Sequence, residues 1–484
     1  MNNNKFIARM TVVLQSIASI LFFVSLSNLE LLPSKYLLLV AISLVILLLA
    51  LIFAISKSSK GKFILLMLSV VFSLIFFVGA LFINKTTGTM QEITSDDTTR
   101  NVQVNDVVVA VLSDDPAQNL ADVAEYIFGV QYALKGEEIE TAVLQINEEL
   151  GQDIQTVEYE NIQEQIQALY DESVEAVIFN EAYIGLLEEE FENIQSDLRI
   201  IDTKTVEKQV EIPAKQQEIQ AEDPCFIVYI SGIDVYGSIR KTSRSDVNIL
   251  AVVNPDSHQV LLINTPRDYY IEFPGVTGGA KDKLTHAGIY GVDVSMAALG
   301  ALYDIEPEYY VRVNFTSLVE MVDALGGVDV YSEYAFTAKQ GGLVVSKGMN
   351  HFNGEQALDF CRERKSLPGG DFQRGKNQQA VITAMIQKVV SPAILLGAGD
   401  IMESLAGNVD TNMSQAQIAE LIREQLNESV SWDVTSMAAE GTGGSMQCYS
   451  MPGRQLYVTH PDYESVETIK EAIARIRTGE SLDE

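Results

Sequence analysis

Residues 226–268 read FIVYISGIDVYGSIRKTSRSDVNILAVVNPDSHQVLLINTPRD, three apolar runs separated by two polar breaks. Phe226–Ile230 is an apolar strand that ends in Ser-Gly-Ile-Asp234. Asp246–Val253 and Gln259–Thr265 are a second and a third, and the Asn254-Pro255-Asp256-Ser257 turn between them predicts a hairpin. A hairpin centred near residue 256 sets position 246 opposite position 267. If the loop 236–243 also returns the chain antiparallel, Asp234 ends the first strand at the same edge, so Asp234, Arg244, Asp246 and Arg267 converge at one end of a sheet. Two carboxylates there repel unless a cation or an arginine lies between them. With oxygen-only ligands the natural ion is Mg²⁺; simple pairing with Arg244 and Arg267 is the other reading.

A second basic cluster lies downstream. Gly354–Asp359 has a short helical pattern with Asn353 as its cap. Phe360–Arg364 reads as extended chain, and period-two alternation then points Arg362 and Arg364 the same way. After Pro368-Gly369-Gly370, Asp371 is placed to cap a helix running from Phe372 to about Val390. Arg374 lies in its first turn, and Gln378, four residues on, shares its face. Helix N-termini favour anions, and guanidinium forks match phosphate oxygens. Arg267, Arg362, Arg364 and Arg374 are more cations than a structural scheme usually gathers in an acidic protein, so phosphate or pyrophosphate is the indicated ligand. A salt-bridge network through Asp268, Asp359, Glu363 and Asp371 is the competing reading. Lys283 adds a further cation, whereas His286 reads as a structural histidine. Helices at Val292–Tyr303 and Ser317–Leu325, the latter stopped by Gly326-Gly327, and strands at Val311–Phe315 and Leu343–Val345 complete a mixed sheet flanked by helices.

Outward from this region the chain changes character. It has 484 residues and a formal charge of −33. Residues 101–224 alone hold 29 acidic against 5 basic residues, a surface that repels nucleic acids and anionic headgroups. Cys225, Cys361 and Cys448 have no close spacing, which excludes a dense disulfide framework or a CxxC zinc site and favours core thiols.

Toward the N-terminus, Met10–Leu26, Tyr36–Ile55 and Phe63–Ile83 read as three membrane spans within residues 10–84. Lys5 and Arg9 precede the first, and Lys57, Lys60 and Lys62 fill the loop between the second and third. The positive-inside rule then places residues 1–9 and that loop in the cytoplasm and everything from residue 85 outside, as a multi-pass protein of the cell membrane.

Residues 85–104 read as a linker and 105–212 as a small acidic α/β domain. Its expected strands are Val107–Leu112, Thr156–Tyr159 and Ala176–Phe179, and its expected helices Ala117–Phe128, Ile162–Leu169 and Glu181–Phe191. It holds no catalytic constellation and reads as a spacer or partner-binding module. The Gln/Glu/Lys-rich stretch 206–224, with 213–224 its core, reads as a connector. The larger domain is expected over 225–395. Residues 396–484 are expected to be a helical extension packed on it, with helices at Ser414–Asn427 and Tyr463–Arg477 around a glycine-rich loop at 441–444.

From Phe226 to Pro392 the chain resembles the LytR-CpsA-Psr family. The resemblance rests on Gly232-Ile233-Asp234, Ser243-Arg244-Ser245-Asp246, Thr265-Pro266-Arg267-Asp268, Asp282-Lys283-Leu284-Thr285-His286-Ala287, Gly326-Gly327-Val328-Asp329 and Ala357-Leu358. It continues through Arg362-Glu363-Arg364 and Asp371-Phe372-Gln373-Arg374-Gly375-Lys376-Asn377-Gln378-Gln379. Three spans with an added domain are similar to the capsule-operon CpsA branch.

The resemblance implies a phosphotransferase that moves a glycan, capsular polysaccharide the expected one, from a polyprenyl-pyrophosphate carrier to peptidoglycan. It would form a phosphodiester and leave polyprenyl phosphate. By the same resemblance Asp234 and Asp246 match magnesium ligands, with Mn²⁺ the alternative ion. Arg244, Arg267, Arg362, Arg364, Arg374 and Gln378 match pyrophosphate contacts, Asp371 matches an acid that orients the arginines, and either metal-ligand carboxylate is a candidate base. Capsule assembly proteins are expected partners. The rival readings are a regulator of capsule expression and a non-catalytic scaffold that binds the lipid-linked glycan; direct nucleic-acid binding is not expected.

Overall fold

The computed structural model describes residues 2–57, 62–93, 102–133, 136–188, 190–209, 225–233, 239–389, 409–428 and 430–482. The chain forms two compact units, one of residues 1–97, 388–406 and 413–431, the other of residues 98–387, 407–412 and 432–484.

The first unit is built on α1 (Asn2–Asn28), α2 (Ser34–Lys57) and α3 (Lys62–Ile93), each long and apolar enough to cross a membrane. Leu38, Ile46, Leu74 and Phe82 point outward from them, the reverse of a soluble bundle. The polar Gln15 of α1 is answered inside, where Ser69 Oγ of α3 donates to Gln15 Oε1 at 2.6 Å. α3 continues to Ile93, so much of the expected linker is helix: residues 85–93 contain no proline and only one glycine. The helix Gln415–Glu428 belongs to the same unit. Its Ile418 packs on Leu29 and Ile83, and Lys35 Nζ donates to the Asn427 carbonyl.

The second unit holds two sheets. The first contains β1 (Val102–Leu112), β2 (Ile127–Val130), β3 (Gln155–Glu158), β4 (Ala176–Asn180) and β5 (Leu198–Gln209), in the order β3-β2-β4-β1-β5. The β-branched run Val107–Val111 is fully buried because both faces are covered. α4 (Gly136–Leu150) packs Ile139 and Ile146 against Val107 and Val109. On the opposite face α5 (Ile162–Tyr170) packs Ile166 and Leu169 against Val108 and Ala110.

The helix expected over Ala117–Phe128 is instead a single turn, Leu120–Val123, capped by Asn119 and followed by β2. Pairing of Ile127–Val130 between β3 and β4 overrides the helical spacing. The helix expected over Glu181–Phe191 is reduced to a turn, Glu181–Tyr183, and α6 (Ile184–Leu187), which stops before the acidic run 188–190. A second single turn, α7 (Ile194–Asp197), follows. β5 extends into the expected connector because it pairs with β1 along its whole length, from Leu112↔Leu198 to Val102↔Gln209; residues 210–224 lie outside the described residues. α4 has no counterpart in the expectation, although the spacing of Ile139, Ala142 and Ile146 carries it.

The second sheet contains β6 (Phe226–Ile233), β7 (Ser245–Asn254) and β8 (Gln259–Asn264). The hairpin register runs from Asn254↔Gln259 to Ile249↔Asn264, which continues to place 246 opposite 267. β9 (Tyr270–Glu272) and β10 (Lys281–Lys283) form a small ribbon, followed by α8 (Leu284–Tyr290), α9 (Val292–Tyr303), β11 (Tyr309–Val313) and α10 (Phe315–Ala324). β12 (Val328–Ser332), β13 (Phe336–Thr337), β14 (Val344–Val345), β15 (Gly348–Phe352), α11 (Gly354–Arg362) and α12 (Asp371–Val389) complete this part around Val322, Phe352, Phe360 and Val381.

Beyond residue 395 the structure departs most from expectation. β16 (Val409–Thr411) and β17 (Asp433–Ala438) are the two edge strands of the six-stranded sheet, whose order is β16-β11-β6-β7-β8-β17. The glycine-rich stretch 441–444 is not a loop. It lies in β18 (Gly441–Cys448), paired with β19 (Met451–Pro461), where a side chain at Gly441 would stand 2.5 Å from the His460 carbonyl. After the unit-one helix α13 (Gln415–Glu428), the final helix α14 (Tyr463–Arg477) buries Val466, Ile469, Ala472, Ile473 and Ile476. They pack with Leu250, Val252, Leu261 and Ile263 of the sheet. Nor are the acidic region and the larger domain separate: Phe179 and Ile166 share one core with Ile289, Met451, Leu456 and Val458. Cys225, Cys361 and Cys448 are all buried free thiols.

Candidate functional site

β7, the chain after β8, and the start of α12 meet at one end of the strands of the six-stranded sheet. Across the hairpin, Arg267 NH1 donates to Asp246 Oδ2 at 2.7 Å. Thr285 Oγ1, in the first turn of α8, donates to Asp246 Oδ1 at 3.0 Å, and its backbone N–H donates to the Arg267 carbonyl. Thr285 is a residue that sequence reasoning passed over, although it stands in the Asp282–Ala287 block. Arg267 Nε lies 3.8 Å from Asp268 Oδ2, yet is buried without a hydrogen-bond acceptor. The buried Lys283 places Nζ 3.6 Å from Asp268 Oδ1. Arg374 NH2 reaches Asp371 Oδ1 at 2.6 Å.

The charges are coupled. Burial pushes the Asp246 carboxyl up, but Arg267, Arg244 and Arg374 outweigh it and hold the group at about 2. Burial lowers Arg267, and Asp246, Asp268 and Asp371 more than restore it. Arg374 goes the other way. Burial and the neighbouring Arg267 and Arg364 depress it despite Asp371 and Asp246. A buried guanidinium whose surroundings disfavour its own charge is a place that an anion stabilises.

Not every predicted residue joins in the predicted way. α11 runs through Arg362, so Arg362 and Arg364 do not alternate along a strand. The capping box at Asn353 starts a helix that continues past Asp359. Arg362 lies over the Phe315 ring, 4.3 Å from its centroid, while Arg364 is exposed and acts on Arg374. Glu363 accepts from the backbone N–H groups of Lys339 and Ser366 and locks the loop beneath them. Asp371 is the first residue of α12 rather than its cap. Gln378 donates to the Cys361 carbonyl at 3.4 Å, tying α12 to α11. Gln379 donates to the carbonyls of Leu262 and Met437, which holds α12 on the sheet. Arg244 NH1 donates to the Gly185 carbonyl at 3.0 Å. Asp234 lies outside the described residues.

For a metal, no group of three or more His, Cys, Asp or Glu side chains is gathered among the described residues. Asp246 is ionised, and each carboxylate oxygen keeps a free lone-pair direction beyond its one hydrogen bond. It fits a hard cation as one ligand.

His286 is structural in its contacts. Its Nδ1 lies 2.6 Å from Asp282 Oδ1 and 2.9 Å from Ser450 Oγ, and the Ser450 N–H donates to Asp282 Oδ2. This clamp fastens α8 to the β18–β19 hairpin. Burial raises the Asp282 carboxyl, but His286 and Ser450 hold it below the ordinary carboxylate range. A depressed folded-state value contributes stability above about pH 4 that is lost as pH falls through the folded value. Asp282→Asn is therefore expected to be clearly destabilised at neutral pH, with the gap to wild type narrower at pH 3. Urea unfolding at both pH values checks this; a difference that does not change with pH contradicts it.

The LytR_cpsA_psr family model matches residues 191–471. The match covers more than half of the chain, and the chain is a member of the LytR-CpsA-Psr family. It is 36% identical over 206 residues to the polyisoprenyl-teichoic acid–peptidoglycan teichoic acid transferase TagU of Bacillus cereus (strain AH820), a match covering 42% of this chain and 66% of that protein. To the TagU of Oceanobacillus iheyensis it is 30% identical over 241 residues, covering 48% of this chain and 72% of the relative. The crystal structure of B. subtilis TagV aligns with a TM-score of 0.45 at 25% identity, over 53% of this chain and 98% of that one.

Proposed function

We propose that this protein transfers a polyprenyl-pyrophosphate-linked glycopolymer to peptidoglycan. An acceptor sugar hydroxyl attacks the glycan-side phosphorus, the bond from that phosphorus to the bridging oxygen breaks, and polyprenyl phosphate leaves. The observation that carries this reading is the under-compensated, buried Arg374 beside Arg267 and Arg364. Arg267, Arg374 and Arg244 stabilise charge on the transferring phosphoryl group. Asp371 orients Arg374, and Thr285 with Asp246 orients Arg267. The isoprenoid tail is proposed to lie between the sheet and the helices packed on it.

Mg²⁺, with Mn²⁺ the alternative, would be held by Asp246 and by Asp234 as the expected second ligand, and would supply further charge neutralisation. The acceptor hydroxyl's proton is proposed to pass to a carboxylate of the site, Asp234 or Asp246, or to solvent as the new P–O bond forms. Capsular polysaccharide is the proposed glycan, since three spans and an added acidic region set this chain apart from a simple anchored domain; the relatives' names point to teichoic acid as the alternative. The N-terminus is proposed to be cytoplasmic and the second unit extracytoplasmic, from the positions of Lys5, Arg9 and Lys57.

The test incubates the full-length protein in detergent with each lipid-linked glycan, with and without peptidoglycan. Polyprenyl phosphate released only with acceptor supports transfer, and its absence with both donors rules it out. Chelation with EDTA is expected to abolish release, and Mg²⁺ or Mn²⁺ to restore it; activity untouched by chelation removes the metal from the proposal.

A further inference from the structure

The acidic sheet region reads in the sequence as a spacer, but in the structure it reaches Arg244. The loop that carries this arginine is fastened to β1. Val104 N–H donates to the Arg240 carbonyl, and Thr242 N–H donates to the Val104 carbonyl. Gln103 Nε2 donates to Thr242 Oγ1, which in turn donates to Asn105 Oδ1. Lys241 Nζ bridges Asp106 at 2.8 Å and Glu181 at 3.4 Å. From Asn105 the contacts pass to Asn180, whose Nδ2 donates to it and whose Oδ1 caps the turn leading into α6. At the far side of that turn Gly185 accepts from Arg244 NH1 at 3.0 Å. The guanidinium lies so close that a Cβ on Gly185 would stand 2.7 Å from Arg244 Cζ and NH2. Both ends of the Arg244 segment are thus set by the acidic region, and the absence of a side chain at 185 is what lets the guanidinium settle there.

We infer that Gly185, on the acidic region, is a positioning residue for the pyrophosphate site, acting through the placement of the Arg244 guanidinium. The inference rests on the phosphate-binding reading above. The acidic region is then a working wall of the site: it holds one of the three arginines that act on Asp246. Pre-organising a cation in this way spares the ordering cost when the anion arrives.

Gly185→Ala separates this role from folding. Alanine favours the helical backbone of α6, and its methyl meets only the far end of a flexible side chain. The probe is farnesyl pyrophosphate, titrated by calorimetry into full-length protein in detergent, with thermal unfolding followed in parallel. Wild type is expected to bind, and Arg244→Ala and Gly185→Ala each to weaken binding about tenfold, Gly185→Ala with unchanged unfolding temperature. The double variant is expected to be no weaker than Arg244→Ala alone, because one residue acts through the other. No binding by wild type defeats the phosphate-site reading itself. Wild-type binding with Gly185→Ala unaffected, or a double variant in which the two losses multiply, overturns the positioning role alone.

Discussion

Arg267→Ala is expected to lower glycan transfer by about 10²–10³-fold, the usual consequence of removing one preorganised donor from a developing phosphoryl charge. Arg267 is also the direct partner of Asp246 at 2.7 Å, so the change leaves a largely buried carboxylate short of its main compensation. Breaking a buried pair from one side costs about 3 kcal/mol, so a fall in unfolding temperature should accompany the lost transfer. Arg267→Lys restores the charge but not the planar fork and is expected to recover stability better than activity. Release of polyprenyl phosphate and thermal unfolding, measured on the same preparations, check both parts. Transfer by Arg267→Ala within threefold of wild type would falsify the assignment of this end of the sheet as the phosphate site.

Ending the chain after Ser431 is expected to abolish folding of the second unit. The deletion removes β17, which pairs with β8 from Gln259 to Asn264, and the β18–β19 hairpin that clamps Asp282 and His286. It also strips Val466, Ile469, Ala472, Ile473 and Ile476 from the core. At roughly 1.5–3 kcal/mol for each large apolar side chain, these side chains alone contribute on the order of the whole stability of a domain, about 5–15 kcal/mol. Limited proteolysis of the truncated protein should show residues 225–389 degraded rather than left as a resistant core. A resistant fragment of that size would mean that residues 432–484 are an appendage after all.

Part of the architecture was legible because it is encoded locally. The three apolar helices need only a run of residues of one kind. The hairpin at Asn254–Ser257 needs only a proline-containing turn between two apolar runs, and its register brings Asp246 to Arg267 by counting. The capping box at Asn353 marks a helix start from three residues. Other elements depended on partners far away in sequence. Ile127–Val130 has no strand identity until β3 and β4 flank it. The polar end of β5, Val206–Gln209, looks like part of a solvated connector until β1 pairs with it. Period two does not hold at Arg362, because α11 continues past Asp359 to include it.

By itself, then, the sequence determined the three long apolar helices, the mixed sheet, the acidic character of residues 101–224 and the pairing of Asp246 with Arg267. It did so because composition, turn chemistry and strand spacing are properties of neighbouring residues. Only the tertiary structure decided that the C-terminal segment supplies both edge strands. The same holds for Arg374 being the buried cation with too little compensation, and for Gly185 lying under the Arg244 guanidinium. Each of these depends on desolvation or on contact between segments tens to hundreds of residues apart, which no local pattern records.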